Sequence, residues 1–203
     1  MIEFHCRGIR PIHDMALFAN QKNCAQYRLM SLRSAVELKP GEVSSASLYE
    51  AIRLTAIIYS TAVTFPIPPV QGLFHKITHW LKAVVEESEL DPCWQLYPKT
   101  LLWILILGGI AAFNTPERVW YVQKLKAISS LLECSLWEAV VDELRSYLWL
   151  DSACEAGGRV LWEEVVGSDL STKTTNSACF DTRSNSVTAD AEHEMTKVYR
   201  DLD

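Results

Sequence analysis

Two histidines, His75 and His79, stand four residues apart in the run His-Lys-Ile-Thr-His, the spacing at which two imidazoles on one helical face can grip one metal ion. The glutamate that completes H-E-x-x-H sites is missing. On a helix both rings lie opposite Ile77 and share their face with Lys82 and Glu86, a face that should meet solvent. Lys82 would repel a cation there. The pair is therefore expected to belong to an ordinary solvated face, with no metal site.

The other chemistry-bearing residues lead to equally plain expectations. Glu86, Glu87, Glu89 and Asp91 form an acidic cluster, but at a helix end and its loop solvated charge is the default, not paired catalytic carboxylates. Ser152-Ala-Cys154 beside Gly157-Gly158 invites a nucleophile, yet G-x-S-x-G is absent and no strand-turn-helix pattern surrounds it. Cys154 is expected to be a small core residue. Gly108-Gly109 does not complete G-x-G-x-x-G and follows a run without strand character, so close helix packing explains it better than a dinucleotide site. Seven tryptophans, Trp80, Trp94, Trp103, Trp120, Trp137, Trp149 and Trp162, occur about once per helix. They suit interhelical anchors, and a ligand cage would require several to converge.

Composition narrows the class. With 203 residues, 49% of them apolar, the chain can build one sizeable core. A net charge of −6 and a pI near 5.4 lack the basic footprint that neutralises phosphates, so direct DNA binding is not expected. Cys6, Cys24, Cys93, Cys134, Cys154 and Cys179 are scattered singly, with neither zinc-site nor disulfide spacing, and are expected to be reduced intracellular thiols. The first residues, Met-Ile-Glu-Phe-His-Cys-Arg, lack a signal-peptide pattern. Leu101 to Phe113 is unbroken apolar but short of the roughly 20 residues that span a bilayer, and should be a buried central helix.

Helical spacing runs almost throughout, and the fold class is all-α: one domain of about six or seven helices over 1–166 and a disordered polar tail over 167–203. The first helix is expected from His13 to Arg33. The second follows a capping box at Ser47-Leu-Tyr-Glu50, turns Leu48, Ala51, Ile52, Thr55, Tyr59 and Ala62 inward, and stops at Phe65-Pro-Ile-Pro-Pro69. The third, Val70 to Glu87, buries Val70, Leu73, Phe74, Ile77, Leu81 and Val84. Asp91-Pro92 starts a fourth that Pro98 kinks or restarts. Thr115-Pro116 opens a fifth with Val119, Val122, Leu125 and Leu132 inward. Ser135-Leu-Trp-Glu138 caps a sixth with Leu136, Val140, Leu144 and Leu148 inward. The last runs from Asp151 to Val166 and is interrupted or loosened at Gly157-Gly158, since each glycine costs about 1 kcal/mol relative to alanine within a helix. A short transient helix is expected over Ala189 to Tyr199.

Four blocks then carry a family resemblance. Leu48-Tyr-Glu-Ala-Ile-Arg-Leu-Thr-Ala-Ile-Ile-Tyr59 with Phe65-Pro-Ile-Pro-Pro69 resembles a signature in the C-terminal region of fungal-specific transcription factors of the binuclear zinc-cluster type. In order, Leu101-Leu-Trp103 through Gly108-Gly-Ile-Ala-Ala112, Glu117-Arg-Val-Trp-Tyr-Val122, and Leu148-Trp-Leu-Asp-Ser-Ala-Cys154 with Gly157 and Trp162-Glu-Glu-Val165 match further. Together they cover about 47–166. The resemblance implies an all-helical regulatory domain working in the nucleus, a homodimer or a heterodimer with an intact zinc-cluster regulator, and a small-molecule effector. It departs in one respect: the family's six-cysteine cluster and basic stretch, which hold two zinc ions and read DNA, have no counterpart in these residues. Zinc and DNA binding therefore do not carry over. The chain is expected to be a fragment or stand-alone remnant, not an enzyme and not a membrane protein, with no catalytic, cofactor-binding or metal residue to name and its binding surface open. The alternative is a helical small-molecule-sensing or protein-interaction module without a transcriptional role.

Overall fold

The computed structural model describes residues 12–64, 72–89 and 91–174, with side chains from 16 to 167. Among the described residues the chain is all-α, and no strand occurs. Eight α-helices follow one another: α1 (Ile12–Met30), α2 (Ala46–Tyr59), α3 (Leu73–Glu87), the single turn α4 (Cys93–Leu96), α5 (Pro98–Ala111), α6 (Arg118–Leu131), α7 (Trp137–Leu144) and α8 (Asp151–Thr174). Pro98 restarts the chain and does not merely kink it. It stands at the first position of α5, where its missing amide costs nothing, and this separates α4 from α5.

The architecture is a hidden helix in a sleeve of others. In α5 every residue from Leu102 to Gly109 is buried, so the helix has no solvent face and the apolar run belongs at the centre of a globule. It packs against α2, α3, α4, α6, α7 and α8. No helix of the described residues is long and apolar enough to cross a membrane. Close approach to α5 depends on its two glycines. A Cβ on Gly108 would stand 2.6 Å from the Tyr121 ring, and one on Gly109 would stand 2.6 Å from Leu161.

Several local expectations are corrected. The cap of α2 is Ser45, whose hydroxyl oxygen accepts the Leu48 amide at 3.2 Å. Ser47 is not the cap, because Glu50 is committed elsewhere: its carboxylate pairs with Arg53 and accepts the Ala35 amide at 2.9 Å. The buried face of α2 is Ala51, Leu54, Thr55 and Ile58, with Ile52 exposed, and a π-helical turn over Ser60–Thr64 ends it. In α3 the buried residues are Ile77, Thr78, Leu81 and Val85. Val70, the Phe65-to-Pro69 stop, the transient helix over Ala189 to Tyr199 and most of the polar tail lie outside the described residues.

In α6 the inward face is rotated from the expected one. Val119 is exposed while Arg118, Tyr121, Val122, Leu125 and Ile128 are buried. Amphipathic residues here displace a plain valine because both Arg118 and Tyr121 find polar partners in the interior. The Ser135 box does not form either: Leu136 occupies the cap position of α7 without a side-chain hydrogen bond, and it and Leu148 are exposed. Gly157-Gly158 is no break, since α8 runs through it and carries its backbone past Gly167 to Thr174. Packing overrides helix propensity at that pair: a Cβ on Gly158 would stand 2.4 Å from Trp137, and one on Gly157 3.0 Å from Ile110.

Candidate functional site

Among the described residues, a cluster of polar and charged groups lies on the seam between α3 and α6. His75 and His79 sit on the outer face of α3, as their spacing implies, with side chains 49% and 62% exposed. Neither is simply solvated. The turn before α6 brings in Glu117, whose side chain is only 8% exposed, and its two oxygens are divided between the rings: His75 Nδ1 lies 3.1 Å from Oε2 and His79 Nδ1 3.2 Å from Oε1. An ionised carboxylate can only accept, so each ring places its N–H on Nδ1. Burial raises the proton affinity of Glu117, but its own backbone amide, the Thr115 hydroxyl and the two neighbouring histidines together outweigh burial and hold the carboxyl below the usual range.

Above this cluster the seam is closed by aromatic and cationic groups. Trp120 lies between Lys82 and Lys124, each ammonium 5.9 Å from its ring centroid. Both cations also meet carboxylates, Lys82 with Glu86 at 3.9 Å and Lys124 with Glu89 at 2.6 Å. The acidic cluster seen in the sequence is thus divided among separate tasks. Asp91 completes the division by accepting the Ser45 hydroxyl and the Cys93 amide.

Behind the seam, the residue after Glu117 points the other way. Arg118 donates to the Gly109 carbonyl on α5, forms a two-pronged pair with Glu164 on α8 at 2.7 and 3.0 Å, and stands over Phe113. Tyr121 is fully buried and donates its hydroxyl to the Thr78 carbonyl on α3 at 2.9 Å. Burial pushes its phenol far up. One stretch of six residues, Glu117 to Val122, therefore ties α3, α5 and α8 to α6.

Three of the seven tryptophans, Trp137, Trp149 and Trp162, converge beside a glycine. The Trp137 ring lies 6.2 Å from those of both Trp149 and Trp162, and its edge fills the space left by Gly158. An open groove of about 380 Å³ lies nearby between the end of α6 and α8, with Trp162, Val165 and Val166 along its wall and Ser129, Ser130 and Ser135 at its rim. Cys154 is a core residue, 3% exposed, and burial pushes its thiol up, away from nucleophilic use. Among the described residues no group of three His, Cys, Asp or Glu side chains is placed to hold a metal ion.

Sequence reasoning had the two histidines and missed Glu117, which lies 42 and 38 positions further along the chain. Only the folding of α6 across α3 brings it there. Compared with known protein families, with curated proteins and with solved structures, the chain matches none.

Proposed function

We propose that the chain is a helical regulatory module of a fungal zinc-cluster transcription regulator, working in the nucleus through contact with another regulatory protein. What supports this is where the four resembling blocks fall. The described part of the first, Leu48 to Tyr59, lies in α2, the second is the buried helix α5, the third is the Glu117-to-Val122 stretch that ties the helices together, and the fourth enters and builds α8. Among the described residues, each block contributes to the core, with Ala51, Leu54 and Ile58, Leu102 to Leu107, Tyr121 and Val122, and Cys154, Trp162 and Val165 buried, as a shared scaffold requires. With a net charge of −6 and cysteines set singly, DNA contact falls to a partner bearing the zinc cluster, in a homodimeric or heterodimeric assembly. A small-molecule effector would act on the same scaffold.

Fusion of the full chain to a heterologous DNA-binding domain, with a reporter gene downstream of its operator, tests this reading. Reporter output is expected to depart from that of the DNA-binding domain alone, and a zinc-cluster protein to co-purify with the chain from nuclear extract. A folded, nuclear fusion that leaves reporter output unchanged and brings down no zinc-cluster protein contradicts it.

A further inference from the structure

We infer that His75 and His79 are a chelating pair for a divalent transition-metal ion, presented through their Nε2 atoms, with Glu117 as the buried carboxylate that fixes both rings. The two histidines are one helical turn apart on α3 and their ring centroids are 6.4 Å apart. A histidine that ligates a metal through one nitrogen commonly donates its other N–H to a carboxylate, which sets the tautomer and makes the ligating nitrogen more basic. Here one carboxylate does this for two rings at once, each Nδ1 on a different oxygen. With each N–H on Nδ1, the Nε2 atoms keep their lone pairs on side chains that are 49% and 62% exposed.

The surroundings suit a cation better than the sequence implied. Lys82, which would repel a metal ion, is drawn toward Glu86 and the Trp120 face, Lys124 is held by Glu89, and Arg118 is turned inward onto Glu164. Glu117 faces the pair directly, one oxygen on each ring. Because no third His, Cys, Asp or Glu of the described residues joins them, water completes the coordination sphere and the site stays open. Imidazole donors suit Zn²⁺, Cu²⁺ and Ni²⁺. Nickel is the probe of choice, since zinc would also draw on the thiols.

The full chain, stripped with a chelator, is titrated with Ni²⁺ by calorimetry beside His75→Ala, His79→Ala and the double variant. The wild type is expected to bind one more ion per chain than the double variant, and each single variant to lose the chelate. Glu117→Gln, which keeps both ring ligands, is expected to weaken binding about 10–100-fold. Nitrogen-edited NMR of the metal-free chain should show both rings protonated on Nδ1. The exposed histidine variants keep the test open even where Glu117→Gln disturbs folding. Equal nickel uptake by wild type and double variant, or rings protonated on Nε2 before metal is added, overturns the inference.

Discussion

Replacing Gly158 by alanine sets two effects against each other inside α8. Alanine favours a helix over glycine by about 1 kcal/mol, so an unhindered site would gain stability. At Gly158, however, the new Cβ would lie 2.4 and 2.8 Å from two Trp137 ring atoms. That indole cannot easily yield. It is 4% exposed, packed against Trp149 and Trp162, and its N–H points to Glu155 at 3.4 Å. Overpacking a filled core costs about 1–3 kcal/mol, which leaves a net loss of roughly 0–2 kcal/mol. Gly167, on the same helix, is the control: a Cβ there meets nothing within 4 Å, so Gly167→Ala should gain up to about 1 kcal/mol. Urea and thermal unfolding of the two variants should therefore differ by about 1–3 kcal/mol, or roughly 2–12 °C in Tm for a domain of this size. Gly158→Ala proving as stable as Gly167→Ala would refute the packing of α8 on Trp137.

Variants at three further positions probe the interior and the turns. Arg118→Met should cost about 2–4 kcal/mol by urea unfolding, because the Gly109 carbonyl and the Glu164 carboxylate lose a charged partner, and Arg118→Lys should recover little since lysine cannot make the two-pronged contact. Glu133 holds a left-handed conformation at φ 55° after α6, where the Cys134 amide closes back on the Ser129 carbonyl at 3.0 Å. Glu133→Gly should stabilise the chain by about 1 kcal/mol, seen as a raised Tm. Burial pushes Glu50 up, but the Arg53 hydrogen bond and charge and the Ala35 amide prevail and lower its pKa. The contribution of Glu50 is therefore complete above its ordinary value of 4.5 and is lost as pH falls through the lowered folded value. Unfolding curves from pH 7 to pH 3 should be steeper in pH for the wild type than for Glu50→Gln.

Much of the fold was legible because it is local. Proline at the head of α5, an apolar run with no polar face, and the glycines of Gly108-Gly109 each announce their role within a few residues. Cap positions were less so: Ser45 and Ser47 are both serines ahead of the same apolar stripe, and only the engagement of Glu50 by Arg53 and Ala35 decides between them. The rotated face of α6 was hidden because arginine and tyrosine are scored as outward by pattern alone, although here Gly109 and Thr78 carbonyls receive them. Gly157-Gly158 was misjudged for a related reason, since propensity sees the helix and not the Trp137 edge beside it. The cluster at His75, His79 and Glu117 joins residues from two helices, and no pattern within either helix holds that information.

The central claim is that Glu117 to Val122 binds α3, α5, α6 and α8 into one cooperative unit. Native-state amide hydrogen exchange on the full chain, wild type beside Arg118→Met, tests it most directly. Protection is predicted to fall together in α3, α5 and α8 as well as in α6. A loss confined to the first turns of α6, with the other helices unchanged, would contradict it.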